Sequence, residues 1–102
     1  MKRMLTINML EETERWTVAL NGEVDIYTVD MLKEKLEAVK DVEGKEIVFD
    51  LKKLDYIDST GLGAIIGVKG KNPKASIRVI NMKSNVARLF EITGLDKIFA
   101  TE

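Results

Sequence analysis

The residues most able to do chemistry stand together. Tyr56-Ile57-Asp58-Ser59-Thr60-Gly61-Leu62-Gly63 sets an acid, two hydroxyls and two glycines between a strand region and an apolar helix. Two readings fit this stretch. In the first, a Ser or Thr at a helix N-cap satisfies an orphan backbone N–H, and the motif is ordinary capping. Capping needs one such residue, however, whereas Asp, Ser and Thr here stand in a row before Gly-Leu-Gly. In the second, the glycines let another surface approach the backbone closely. A hydroxyl at the helix N-terminus would then carry a phosphate whose charge the free N–H groups tolerate. The second reading makes Ser59 the start of a modifiable helix.

Other chemistries fail on spacing or on missing residue types. Gly61-Leu62-Gly63-Ala64-Ile65-Ile66-Gly67 has one residue too many for G-x-G-x-x-G, and Lys71 is followed by Asn72 rather than the Ser or Thr of a phosphate-binding P-loop. Ser59 lacks the flanking glycines of a nucleophile elbow. The chain has no His and no Cys, which removes Ser/His/Asp and Cys/His nucleophile pairs, disulfides and the usual zinc ligands together. The sequence therefore predicts no catalytic residue, no metal site and no cofactor. Asp50, placed at the end of a central strand, could serve as the phosphoacceptor of a receiver domain. That domain also needs an acidic pair after its first strand and a Lys after a late one, but Ile80 here is followed by Asn81-Met82. A solvated, strand-terminal Asp50 is the simpler expectation.

Gly22-Glu23-Val24-Asp25 is a second constellation, an acidic turn between a strand end and a helix start. By itself it reads as a solvated loop with capping value. Met31, Met82 and Trp16 occupy positions suited to core or rim.

These residues need elements to hold them. Leu5, Ile7 and Met9, then Trp16, Val18 and Leu20, alternate with period two around the polar stretch Glu11 to Arg15, which predicts a hairpin ended by Asn21-Gly22. Val29, Leu32, Leu36 and Val39 line one helix face, predicting a helix over about 28–40 with Thr28 as N-cap and Asp30 in its first turn. Ile47-Val48-Phe49 reads as a central strand. Leu54, Tyr56 and Ile57 follow a polar bend, and an apolar helix then runs from Ser59 until Gly70 and Asn72-Pro73 stop it. Ile77, Val79 and Ile80 form another strand, and Val86, Leu89, Phe90 and Thr93 a helix ended by Gly94. Ile98 and Phe99 can add a last short strand. Alternation of this kind predicts an α/β fold with a mixed sheet, in which the hairpin supplies the antiparallel edge to parallel strands.

With 102 residues, 45% of them hydrophobic, the expectation is one domain over residues 1–102. Sixteen Lys plus Arg against seventeen Asp plus Glu leave a net charge of −1, without the basic field that gathers nucleic acid or anionic lipid. Met1-Lys2-Arg3-Met4-Leu5 is not followed by the apolar core of a signal peptide, and no stretch approaches the ~20 apolar residues of a membrane span. A cytoplasmic protein is expected.

Four blocks, in order, resemble the STAS domains, and within them the bacterial anti-sigma factor antagonists. They are Leu20-Asn21-Gly22-Glu23-Val24-Asp25, Ile47-Val48-Phe49-Asp50-Leu51, Asp58-Ser59-Thr60-Gly61-Leu62-Gly63 and Arg88-Leu89-Phe90-Glu91-Ile92-Thr93-Gly94-Leu95. The resemblance spans nearly the whole chain and implies a mixed sheet with helices packed mainly on one face. It also implies partner switching: the unphosphorylated antagonist binds an anti-sigma factor that is a serine kinase of the GHKL type, and the sigma factor is released. Phosphorylation ends the contact, and a PP2C-type phosphatase restores it. Ser59 matches the family phosphoacceptor, Asp58 its preceding acid, and Asp25 the acidic loop position near the same partner surface. Thr60, Gly61, Leu62 and Gly63 complete the implied partner-binding stretch. Between Gly67 and Ile77 the chain is a few residues shorter than the family pattern, predicting a short helix after Ser59. The same resemblance allows a second role, as a STAS subunit of a stress-signalling scaffold or of a lipid or anion transporter.

Overall fold

A computed structural model describes residues 4–40 and 44–102 of the chain. Strand β1 (Leu5–Glu11) and strand β2 (Arg15–Val24) form the expected antiparallel hairpin. Helix α1 (Val29–Leu36), strand β3 (Glu46–Ile57), helix α2 (Ser59–Lys71), strand β4 (Ser76–Ile80), helix α3 (Ser84–Thr93), a 3₁₀ turn at Leu95–Lys97 and strand β5 (Ala100–Thr101) follow. The sheet runs in sequence order, β1-β2-β3-β4-β5, and every pairing after the hairpin is parallel.

That order explains where the core lies. Each parallel crossover steps one strand in the same direction, and right-handed crossovers that all step one way deposit their helices on one face. Val18, Leu20, Phe49, Leu51, Ile77 and Val79 point to that face and meet Leu32, Leu36, Ile65, Val68, Val86 and Phe90 of the helices. On the opposite face Thr6, Lys52 and Asn21 are exposed, and Arg78 lies between Glu46 and Glu102 at 3.1 and 2.6 Å. Fully burying one large aliphatic or aromatic side chain stabilises a fold by about 1.5–3 kcal/mol, so one well-filled face suffices for a domain of this size.

Several boundaries differ from the sequence reading. Strand β2 does not end at Asn21-Gly22 but continues to Val24, because β3 keeps pairing beside it through Val24↔Ile57. The polar bend before Leu54 is strand. Two register shifts, between Ala19 and Asn21 and between Gly22 and Glu23, each insert an extra residue on β3, so Leu51, Leu54 and Ile57 all face inward at a spacing of three. Asp50 consequently sits inside β3, not at its end, and its carboxylate accepts from Lys52 N–H at 3.1 Å and Asn81 Nδ2 at 3.2 Å. Helix α1 stops at Leu36 instead of 40. Tighter bonds, Ala38 N–H to Lys35 C=O and Val39 N–H to Leu36 C=O, close the chain and turn Val39 into the core. The last strand takes Ala100 and Thr101, while Phe99 is buried and Ile98 exposed.

Trp16 and Met82 pack at the rim of the core, as expected, whereas Met31 is exposed. The helix after Ser59 is not short: α2 has 13 residues and is the longest of the three. Its end is sealed by buried Asn72, whose Nδ2 donates to Val68 C=O at 3.0 Å and to Val39 C=O at 3.1 Å. One side chain thus ties the end of α2 to the segment that leaves α1.

Candidate functional site

The two sequence constellations meet at the carboxyl ends of β2 and β3. Asp58 N–H donates to Val24 C=O at 3.1 Å, joining the end of one strand to the residue after the other. Asp58, not Ser59 or Thr60, is the N-cap of α2: its Oδ1 accepts from Thr60 N–H at 3.0 Å, from Gly61 N–H at 3.2 Å and from the Thr60 hydroxyl. Partial burial opposes ionisation of this carboxyl. The bonds from the Thr60 hydroxyl, Gly61 N–H, Thr60 N–H and Ile26 N–H outweigh it and hold the pKa below the ordinary aspartate value. The Ile26 backbone amide thus acts on this carboxyl from the 25–28 loop.

With Asp58 doing the capping, Ser59 is left over. It is the first residue of α2, its side chain is exposed, and its hydroxyl has no hydrogen-bond partner among the described residues. Two of the N–H groups at this helix end are already taken by Asp58.

The acidic loop is built differently from its reading as a solvated turn. Asp25 is only 5% exposed. Its Oδ1 accepts from Tyr27 N–H at 2.8 Å and Thr28 N–H at 3.2 Å, and its C=O accepts from Val29 N–H at 2.8 Å. Thr28 makes no side-chain cap; its Oγ1 accepts from Asp25 N–H at 3.0 Å and donates to Glu23 C=O at 2.9 Å. Asp25 and Thr28 therefore shape the loop from within, and the groups they push out are Ile26, 67% exposed, and Tyr27, 82% exposed. Sequence reasoning missed both. The signal was present, since two apolar residues stand outside the helical stripe that begins at Val29.

Of the stretch after Ser59, the structure exposes Thr60 and Gly63 and buries Gly61 and Leu62. The close approach foreseen at the glycines occurs at Gly61 and from inside the molecule: a Cβ there would lie 2.5 Å from Val24 Cγ1 and 2.6 Å from Ile57 Cγ1. Gly63 has open space around its Cα. Further along the outer side of α2, Ile66, Gly67 and Gly70 are exposed. On its other flank a cleft between Ser59 and Tyr56 on one side and Asn85 and Leu89 on the other separates α2 from α3. Asn85 Nδ2 donates to Asp55 C=O at 2.8 Å, and Lys83 pairs with the Asp55 carboxylate, which fixes the start of α3 against the end of β3.

The arrangement is that of a small α/β domain displaying a serine hydroxyl on an exposed, partly apolar rim. The model of one family, the STAS domain, matches residues 7–102. The chain belongs to the STAS domain family. It is 34% identical over 93 residues to an anti-sigma-B factor antagonist of Staphylococcus aureus, covering 89% of this chain and 86% of that one. A protein of the same description from Listeria monocytogenes is 35% identical over 89 residues, covering 85% and 78%. The crystal structure of an anti-sigma factor antagonist from Mycobacterium paratuberculosis superposes with a TM-score of 0.86 at 24% identity, over 96% of this chain and 85% of that one. No helix among the described residues is long and apolar enough to cross a membrane.

Proposed function

We propose that this chain is an anti-sigma factor antagonist switched by phosphorylation of Ser59. Its unphosphorylated form binds an anti-sigma factor that is also a GHKL-type serine kinase, so that the sigma factor is released. Phosphate on Ser59 ends the contact, and a PP2C-type phosphatase restores it. The protein works by binding, in the cytoplasm, without catalysis of its own. The observation that carries this reading is the division of labour at the start of α2: Asp58 satisfies the helix end, and the adjacent Ser59 hydroxyl stands exposed and without a hydrogen-bond partner among the described residues.

The partner surface is the rim around that hydroxyl, namely Ser59, Thr60 and Gly63 on α2 with Ile26 and Tyr27 on the neighbouring loop. Asp25 contributes by holding the loop, as Gly61 and Leu62 contribute by seating the helix. Phosphorylation adds roughly −1.5 to −2 charges beside Asp58. Nothing inside the fold has to move to accept them, so the switch is local.

Incubation of the purified protein with anti-sigma kinases of its own organism and ATP, followed by mass-spectrometric mapping, tests the proposal. Phosphate on Ser59 with loss of the complex is the expected result. A folded protein left unmodified at Ser59 by every such kinase overturns it and favours a STAS subunit of a scaffold or transporter.

A further inference from the structure

Among the described residues the hairpin leaves one long strand edge open. The bonds Glu23 N–H to Met4 C=O at 3.0 Å and Glu12 N–H to Arg15 C=O at 2.8 Å set the parity of the β1–β2 ladder. In an antiparallel pair every second residue turns both of its polar groups toward the partner strand. Thr6, Asn8 and Leu10 accordingly bond β2, and Leu5, Ile7, Met9 and Glu11 turn their N–H and C=O groups to the free edge.

Natural sheets guard such edges with Lys, Pro, bulges or very short strands. Strand β1 has none of these. It is seven residues long, pairs with β2 in unbroken register, and carries a single charge, Glu11 at its end, already matched by Lys45 Nζ at 3.0 Å. Strand β5, at the other edge, has two residues.

The edge is also complementary to itself. A two-fold axis through Asn8 places Asn8 opposite Asn8 of a second copy, and Ile7 opposite that copy's Met9. Ile7 and Met9 are only partly covered by their own core, so each shields the other's uncovered side. On the open face Thr6 meets Leu10, which is 58% exposed in the single chain. The Glu11 carboxylates fall at opposite ends of the paired strands, where they do not meet. We propose that β1 is a homodimer edge, pairing antiparallel with β1 of a second copy about Asn8 to extend the sheet across both chains.

Two experiments test the pairing. In the unaltered protein, amide exchange at Ile7 and Met9 is expected to slow as protein concentration rises, while Thr6, Asn8 and Leu10, already bonded to β2, stay unchanged. Exchange at Ile7 and Met9 independent of concentration up to the millimolar range overturns the proposal. The second uses the absence of Cys from the chain. Facing residues in a non-hydrogen-bonded antiparallel pair have Cα atoms about 4.5 Å apart, within disulfide reach. Asn8→Cys should therefore oxidise to a covalent dimer at least about tenfold faster than Lys35→Cys, on the exposed side of α1, because pairing raises the effective thiol concentration. Equal rates in two folded variants overturn the register, whatever dimer forms by another face.

Discussion

At the residue scale, the site turns on two neighbouring side chains with separate tasks. Asp58 caps α2, and truncating a capping side chain costs about 0.5–2 kcal/mol. Asp58→Ala is thus expected to lower stability by about 1 kcal/mol in urea unfolding while leaving Ser59 in place. The same carboxyl has a depressed pKa in the folded protein, so its stabilising contribution is complete above the unfolded-state value near 4. It is lost as pH falls from there through the lower folded value. Asp58→Asn should remove that part of the acid limb, read as a smaller drop in midpoint between pH 5 and pH 3. The Ser59 hydroxyl has no hydrogen-bond partner among the described residues, so Ser59→Asp should keep the far-UV circular dichroism and the unfolding midpoint. It should weaken binding to the kinase by on the order of a hundredfold, equivalent to ~3 kcal/mol. Unchanged affinity of a folded Ser59→Asp protein, measured by calorimetry, would sink the switch.

Among the elements, the sequence announced types better than ends. The hairpin, α1 and α3 follow from apolar periods of two and of three to four, which backbone geometry dictates locally, and β3 and α2 from apolar runs bounded by polar and turn residues. Ends depended on partners. Strand β2 runs past Gly22 because β3 continues beside it, and Gly22 serves inside that extension: its φ is +114°, and a Cβ would come 2.3 Å from Met4 C=O oxygen. Helix α1 ends early because Val39 is needed in the core, a demand no local propensity encodes. At Gly61, α2 lies tight against Val24 of β2 and Ile57 of β3. Gly61→Ala should cost about 1–3 kcal/mol by overpacking against Val24 and Ile57. Gly63→Ala, with open space around it, should cost nothing by that route and is the control in thermal unfolding.

Considered as a whole molecule, one face of the sheet is spent on the core and the helix starts gather at the carboxyl ends of the parallel strands. That gathering brings the 25–28 loop to α2. Tyr27 and Ile26 are large, apolar and exposed at that junction, the composition in which interface hot spots are found. Tyr27→Ala is expected to weaken kinase binding at least about tenfold with no loss of stability, as a hot-spot side chain contributes upward of 1 kcal/mol. Titration calorimetry against the kinase identified by Ser59 labelling reads the first quantity and urea unfolding the second. Affinity equal to the parent protein would place the partner elsewhere on the rim.

The sequence by itself determined the fold class, the element order and the candidate serine, because each is written in local periodicity or in adjacent residues. The same local information placed Asp25 in an acidic turn and Asp58 beside Ser59. Only the tertiary structure decided which of these side chains face solvent. Asp25, Gly61 and Leu62 went inward and Ile26 and Tyr27 outward, since burial is settled by what packs across from a residue. For Gly61 that neighbour is Val24 of β2, far back along the chain, together with Ile57 of β3, while Asp25 is held in by bonds within its own loop.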